Sequence, residues 1–282
     1  MERREALKHE TFTWRGNRGL QIFAQSWAPN ANPLAVVALV HGLGEHSGRY
    51  QHVAEAFTQA GYAMLGFDLP GHGQSEGKRG HTSYDEAAGE IDHLLEEVER
   101  RWPRTGRFLY GHSLGGALVL YYLLRRKPSL NGAIVTSPGI AAGAPVPGWK
   151  RLAARSLSKL VPDFTMANGL DLANLSHDPQ VIERYRQDPL VHDQISARLG
   201  WDLIENGRWI LDHAAELTVP LLLMQGSGDR LVSLQATRLF AERAPADKIT
   251  YKEWDQLYHE THNEPEKEQV IRCTLDWIAQ HC

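Results

Sequence analysis

The chain has 282 residues, 42% hydrophobic and 23% charged, a composition that fits one α/β core carrying a modest inserted subdomain. Its formal net charge of −4, with no long Lys/Arg block, gives no reason to expect a nucleic-acid partner. Only Cys273 and Cys282 are available, so a disulfide framework is excluded and a reducing compartment suits the chain.

In chain order, Met1 to Glu5 is charged and leads into no apolar run of signal-peptide length. Thr11 to Trp27 reads as an antiparallel hairpin turned at Gly16-Asn17-Arg18-Gly19. Leu34 to Val40 is an apolar strand that runs into His41-Gly42-Leu43-Gly44, and Tyr62 to Phe67 is a second, ending at Asp68 and the turn Pro70 to Gly73. Asp85 to Arg101 places Ile91, Leu94, Leu95 and Val98 at helical spacing, with acidic residues expected on the opposite face. A strand from Arg107 to Tyr110 ends at Gly111, and the apolar helix Gly115 to Arg126 follows, stopped before Pro128. Ala133 to Ser137, Leu221 to Gln225 and Ile249 to Lys252 are further strands, and Glu266 to Gln280 is a closing helix.

Near-continuous apolar strands alternating with helices predict a mostly parallel central sheet with helices on both faces. The rhythm breaks between 139 and 215, where five prolines and several helix-like pieces occur without a convincing strand. The expected organisation is therefore a core in two parts, 1–138 and 216–282, with a mainly helical insertion, 139–215, over the C-terminal edge of the sheet. No stretch approaches the roughly 18 apolar residues of a membrane span, so a cytoplasmic protein is expected.

Chemistry concentrates at the strand ends. Gly111-His112-Ser113-Leu114-Gly115 joins a strand to a helix, a sharp turn that needs small residues two places either side of the serine. Such a turn lifts the Ser113 hydroxyl above the sheet at a helix N-terminus, where developing negative charge is favoured. A serine nucleophile needs a base, and the base needs a partner that holds its tautomer. Asp229 follows the strand Leu221 to Gln225 in Gly226-Ser227-Gly228-Asp229, and is the acid candidate. His259 follows the last strand and is the base candidate, with His262 its rival; Asp255 precedes His259 too closely to approach the ring from behind. The backbone N–H groups of Leu43 and Leu114 are the expected oxyanion donors, and Gly42, Glu45 and His112 are further positions expected against substrate. His41, His72 and His112 are also read as bonding backbone near the pocket. Neither His-Glu-x-x-His nor a Cys/His set occurs, the Gly-rich loop lacks a Walker lysine, and no metal or cofactor is called for.

The chain resembles the monoacylglycerol lipase and lysophospholipase-like branch of the α/β-hydrolases. The resemblance is carried by the runs His41 to Tyr50, Asp68 to Gly77, Gly111 to Gly116, Asp188 to His192, Gly228 to Val232 and Tyr258 to Glu260. It implies an α/β-hydrolase fold, a triad of Ser113, Asp229 and His259, an oxyanion hole at Leu43 and Leu114, and a cap over an acyl tunnel. It further implies a monoacylglycerol or similar amphiphilic ester as substrate, with lysophospholipids, short-chain esters and peptides with a free N-terminus as alternatives. A non-catalytic hydrolase-fold binding protein is the contrasting class, disfavoured because all three triad positions have suitable occupants.

One piece of the insertion has a physical reading of its own. Gly148 to Val161 puts Trp149, Leu152, Ala153, Leu157 and Leu160 on one helical face and Lys150, Arg151, Arg155 and Lys159 elsewhere, with no acidic residue. Such a helix either packs its apolar face on the core or rests transiently on an anionic membrane or micelle surface.

Overall fold

The computed structural model describes residues 7–282, so the charged segment Met1 to Glu5 lies outside the described residues. Strands β1 (Lys8–Arg15) and β2 (Gln21–Ala28) form the expected hairpin, paired from Lys8 opposite Ala28 to Arg15 opposite Gln21. Next come β3 (Ala35–Val40), α1 (Gln51–Gln59), β4 (Ala63–Phe67), α2 (Tyr84–Arg101), β5 (Gly106–His112), α3 (Leu114–Arg126) and β6 (Gly132–Thr136). The segment that follows holds α4 (Gly148–Leu160), β7 (Thr165–Ala167), α5 (Pro179–Gln187), β8 (Gln194–Ser196) and α6 (Ala197–His213). The chain closes with β9 (Leu221–Gly226), α7 (Leu234–Arg243), β10 (Ile249–Trp254) and α8 (Lys267–His281).

Eight strands make one sheet in the order β1-β2-β4-β3-β5-β6-β9-β10. β2 meets β4 antiparallel, and every pairing from β4 to β10 is parallel. The mostly parallel sheet expected from the strand-helix rhythm is therefore present, in keeping with the α/β-hydrolase fold that the resemblance implies. Along β3, Val36, Ala38 and Val40 join a core packed under α2, α3 and α6, while Ala35, Val37 and Leu39 join a second core under α1 and α8. Alternation of period two thus feeds both faces, and apolar side chains at every position become a necessity.

α2 has a Ser83 cap whose hydroxyl oxygen accepts the Glu86 N–H at 3.2 Å, acidic residues in its first turn and arginines in its last. Ile91, Leu94 and Val98 are buried as expected, but so is Glu90, which the amphipathic pattern put on the solvent side. Its carboxylate accepts from Trp14 Nε1 at 2.8 Å and from the Asn17 N–H at 2.9 Å, pinning the first hairpin to the helix. A buried carboxylate is tolerated here because both oxygens find donors.

A second correction concerns the segment between β6 and β9. It contains two strands, β7 and β8, paired antiparallel from Thr165 opposite Ser196 to Ala167 opposite Gln194. At three residues each they are too short for a periodic pattern to appear. α4 presents Trp149, Leu152 and Leu160 outward, 70%, 65% and 78% exposed, so these three do not pack on the core. Among the described residues no helix is long and apolar enough to cross a membrane.

Candidate active site

β5 delivers the chain at His112 and α3 takes it up at Leu114, leaving Ser113 alone between them at φ 53, ψ −118. A non-glycine residue rarely holds that conformation, and it projects the hydroxyl off the end of the strand. Close packing explains the flanking glycines. A Cβ on Gly111 would lie 2.5 Å from the Gly115 carbonyl, and one on Gly115 would strike the carbonyl of Val40. The Ser113 N–H donates to the Thr136 carbonyl at 3.0 Å, and its own carbonyl accepts the Gly139 N–H at 2.8 Å.

β9 ends in the turn Gly226-Ser227-Gly228 and hands over Asp229. Oδ1 accepts the N–H groups of Leu231 at 2.8 Å and Val232 at 3.1 Å, and Oδ2 accepts from Gln225 Nε2 at 3.1 Å. The same Oδ2 lies 2.8 Å from Nδ1 of His259, whose Nε2 lies 2.9 Å from Oγ of Ser113. With Nδ1 donating to the carboxylate, Nε2 is left as the acceptor for the serine hydroxyl. Hydroxyl, imidazole and carboxylate thus lie in line, the arrangement needed to draw off a proton from Ser113.

Electrostatics support that direction. Burial pulls the His259 imidazole down, but the Asp229 charge and hydrogen bond outweigh it, so the ring sits above its ordinary value. Burial would raise the Asp229 carboxyl, and the His259 charge with its hydrogen bonds holds it below the usual range. The rival His262 is buried and stacked on Tyr50 at 4.9 Å, with neither ring nitrogen bonded to a protein atom. Burial and the neighbouring His112 hold it well below the ordinary imidazole value. Asp255 is exposed and accepts a 3.4 Å bond from Ser227 Oγ, away from His259.

A cavity of about 720 Å³ opens over this array. Ser113, His259, Leu43 and Leu114 border it, and Ile140, Val146, Leu170, Ile195 and Leu203 supply apolar wall. Gly42, Glu45 and His112 do not line it. Gly42 packs behind Ser113, where a Cβ would come within 3.2 Å of the serine Cβ. Glu45 is 2% exposed, with Oε1 accepting the Gly42 N–H at 2.6 Å and the Tyr50 hydroxyl at 2.8 Å. His112 bonds the Thr136 hydroxyl at 2.9 Å instead of backbone, and burial, then the His259 charge, pushes it down to about 4. His41 and His72 do bond backbone, through the carbonyls of Gly42 at 2.8 Å and Pro70 at 3.0 Å.

Sequence reasoning assigned nothing to Arg49 and Glu260. Arg49 donates to Glu45 at 2.5 Å and to both oxygens of Glu260 at 2.7 Å, bridging the glycine loop to the residue after His259. Their signals in the sequence are charge inside otherwise glycine-rich or histidine-bearing loops and a place in two of the runs that carry the resemblance. Among the described residues, no group of three or more His, Cys, Asp or Glu is placed to hold a metal ion.

Residues 31–266 match the family described as serine aminopeptidase, S33. The monoacylglycerol lipase of Mycolicibacterium smegmatis is 35% identical over 268 residues, covering 94% of this chain and 95% of that protein. An abhydrolase domain-containing protein of Dictyostelium discoideum is 38% identical over 91% of this chain, which spans only 27% of that protein's length. The crystal structure of Paleococcus ferrophilus monoacylglycerol lipase is similar at a TM-score of 0.83 and 35% identity, over 98% of this chain and all of that one. With the family match running through most of its length and these relatives agreeing over nearly all of it, the chain belongs to the serine aminopeptidase S33 family of α/β-hydrolases.

Proposed function

We propose that this serine ester hydrolase cleaves monoacylglycerols to fatty acid and glycerol through an acyl-enzyme on Ser113. The carrying observation is the Ser113-His259-Asp229 hydrogen-bonded line at the floor of a largely apolar cavity. Two relatives bearing the name monoacylglycerol lipase, each 35% identical, support the substrate class. His259 takes the hydroxyl proton as Ser113 Oγ attacks the ester carbonyl, and the N–H groups of Leu43 and Leu114 receive the oxyanion. His259 then passes the proton to the departing glycerol oxygen. In the second half it draws a proton from water, which releases the fatty acid and restores Ser113. Asp229 holds the imidazole tautomer throughout, and residues 139–215 act as a cap whose apolar wall receives the acyl chain.

The test is fatty-acid release from monoacylglycerols of graded chain length, with Ser113→Ala in parallel. Turnover that depends on chain length and falls by orders of magnitude in the variant supports the reading. A labelled Ser113 with no turnover at any length would discard the substrate class and leave lysophospholipids and aminoacyl esters to be tried.

The rate should also report on His259. Only the neutral ring can accept the serine proton, and the Asp229 carboxylate favours the charged ring. The acid limb of kcat/KM is therefore expected above the ordinary imidazole value of about 6.5. Asp229→Asn should move that limb downward as well as lowering the rate. A limb unchanged in the variant would contradict the pairing.

The cap is also proposed to touch lipid. Trp149, Leu152 and Leu160 of α4 are exposed beside Lys150, Arg151, Arg155 and Lys159, and Arg151 borders the cavity. Replacing Lys150, Arg155 and Lys159, which do not border the cavity, with glutamine should reduce co-sedimentation with anionic liposomes severalfold and leave hydrolysis of a dispersed short-chain ester unchanged. Equal co-sedimentation of the two proteins would remove the lipid contact from the proposal.

A further inference from the structure

Among the described residues five non-glycine positions have positive φ: Arg104, Ser113, Lys127, Ser137 and Gln256. Arg104, Lys127 and Gln256 are exposed. Ser113 is the nucleophile position. That leaves Ser137, fully buried at φ 44 directly after β6, a conformation in which glycine would be easier to accommodate. A serine held there against its backbone preference calls for a reason in its side chain.

The hydroxyl supplies one: Ser137 Oγ donates to the main-chain carbonyl of His259 at 2.7 Å, across 122 residues of sequence. The other backbone bond of His259 is weaker, its N–H reaching the Asn174 carbonyl at 3.4 Å. The same turn holds the nucleophile. Thr136 accepts the Ser113 N–H at 3.0 Å, and Gly139 donates to the Ser113 carbonyl at 2.8 Å. The Ser137 N–H is itself fixed by the Met224 carbonyl on β9 at 2.8 Å. The end of β6 is therefore a common mount for the serine and the histidine, and its link to the histidine is one hydroxyl.

We infer that Ser137 is a positioning residue for the hydrolysis, its buried hydroxyl fixing the backbone of His259 so that Nε2 meets Ser113 Oγ and Nδ1 meets Asp229 together. The inference rests on the triad proposed above. It does not make Ser137 a proton carrier, since the hydroxyl contacts only a carbonyl of the base's main chain. A looser histidine still binds no less substrate, so the loss falls on kcat and leaves KM in place.

Two variants separate the hydroxyl from the strain. Ser137→Ala removes the hydroxyl and keeps a Cβ at positive φ, whereas Ser137→Gly removes both. Steady-state kinetics on a monoacylglycerol should show kcat roughly tenfold lower in each, about the rate equivalent of one hydrogen bond, with KM unchanged. Labelling of Ser113 by a phosphonate should slow by the same factor, while thermal denaturation finds the glycine variant the more stable of the two. Wild-type kcat in both variants would overturn the inference, as would activity lost in the alanine variant and restored in the glycine one, or a change confined to KM. Turnover in Ser113→Ala close to the wild-type rate would instead overturn the triad on which it stands, so the two failures are told apart.

Discussion

Ser113→Ala is expected to lower kcat for ester hydrolysis by about 10⁶-fold, and adding His259→Ala to it should cost almost nothing more. The reason is that the groups act as one unit. Nε2 of His259 sits 2.9 Å from the serine oxygen, and the Ser113 hydroxyl is the donor it activates. Once the hydroxyl is gone the imidazole has no proton to take, so its own loss is silent. Residual turnover should be that of an apolar cavity with oxyanion donors, on the order of 10³ to 10⁴ over water. Stability should follow a different rule. Alanine keeps the Cβ at φ 53 and so keeps the strain, whereas Ser113→Gly relieves it and should raise unfolding stability by about 1–2 kcal/mol. Kinetics of the two single variants and the double, with thermal denaturation of Ser113→Gly, check both halves. A double variant far below the single, or a glycine variant no more stable than wild type, would contradict the account.

The parts of the fold legible in the sequence are those governed by long, repeated patterns. β3 and β9 are apolar at nearly every position because both faces of the sheet are covered, and they announce themselves as unbroken runs. The elbow at Ser113 was readable because its glycines answer a local steric demand. β7 and β8 were not, since three residues cannot display a period. Sequence spacing also placed Glu45 near the site without saying which side of the loop it occupies. Its carboxylate turns away from the cavity to hold the Gly42 N–H, a choice set by Arg49 and Tyr50. Arg49 and Glu260 lie 211 residues apart, and only the fold makes them partners. Ser137 is hidden for a similar reason: a serine after a strand looks ordinary until its positive φ and its distant acceptor are known.

The buried arginine gives the second large effect. The Arg49 side chain is 10% exposed and stands between Glu45 and Glu260, each 3% exposed. Burial alone would raise both carboxyls, yet the Arg49 charge holds each below the usual range. Arg49→Met would leave two carboxylates facing one another without their cation, a cost of about 3–5 kcal/mol. The sign of the pH dependence follows. In the wild type the depressed carboxyls contribute stability above their unfolded values, and it is lost as pH falls through the folded ones. In the variant burial and mutual repulsion raise them, so the penalty is greatest at high pH and relaxes as protonation removes a charge. Urea unfolding should therefore separate wild type from Arg49→Met more widely at pH 8 than at pH 5. Adding Glu45→Gln and Glu260→Gln should recover part of the stability, because the desolvated charges leave with their partner. Activity should not return with it. Glu45 holds the Gly42 N–H beside Leu43, and Glu260 follows His259, so the neutral triple variant keeps the fold while losing the ionic clamp on both loops. A gap between wild type and Arg49→Met that is equal at the two pH values would mean the arginine acts by packing rather than by charge, through its contact with the Tyr185 ring at 4.6 Å.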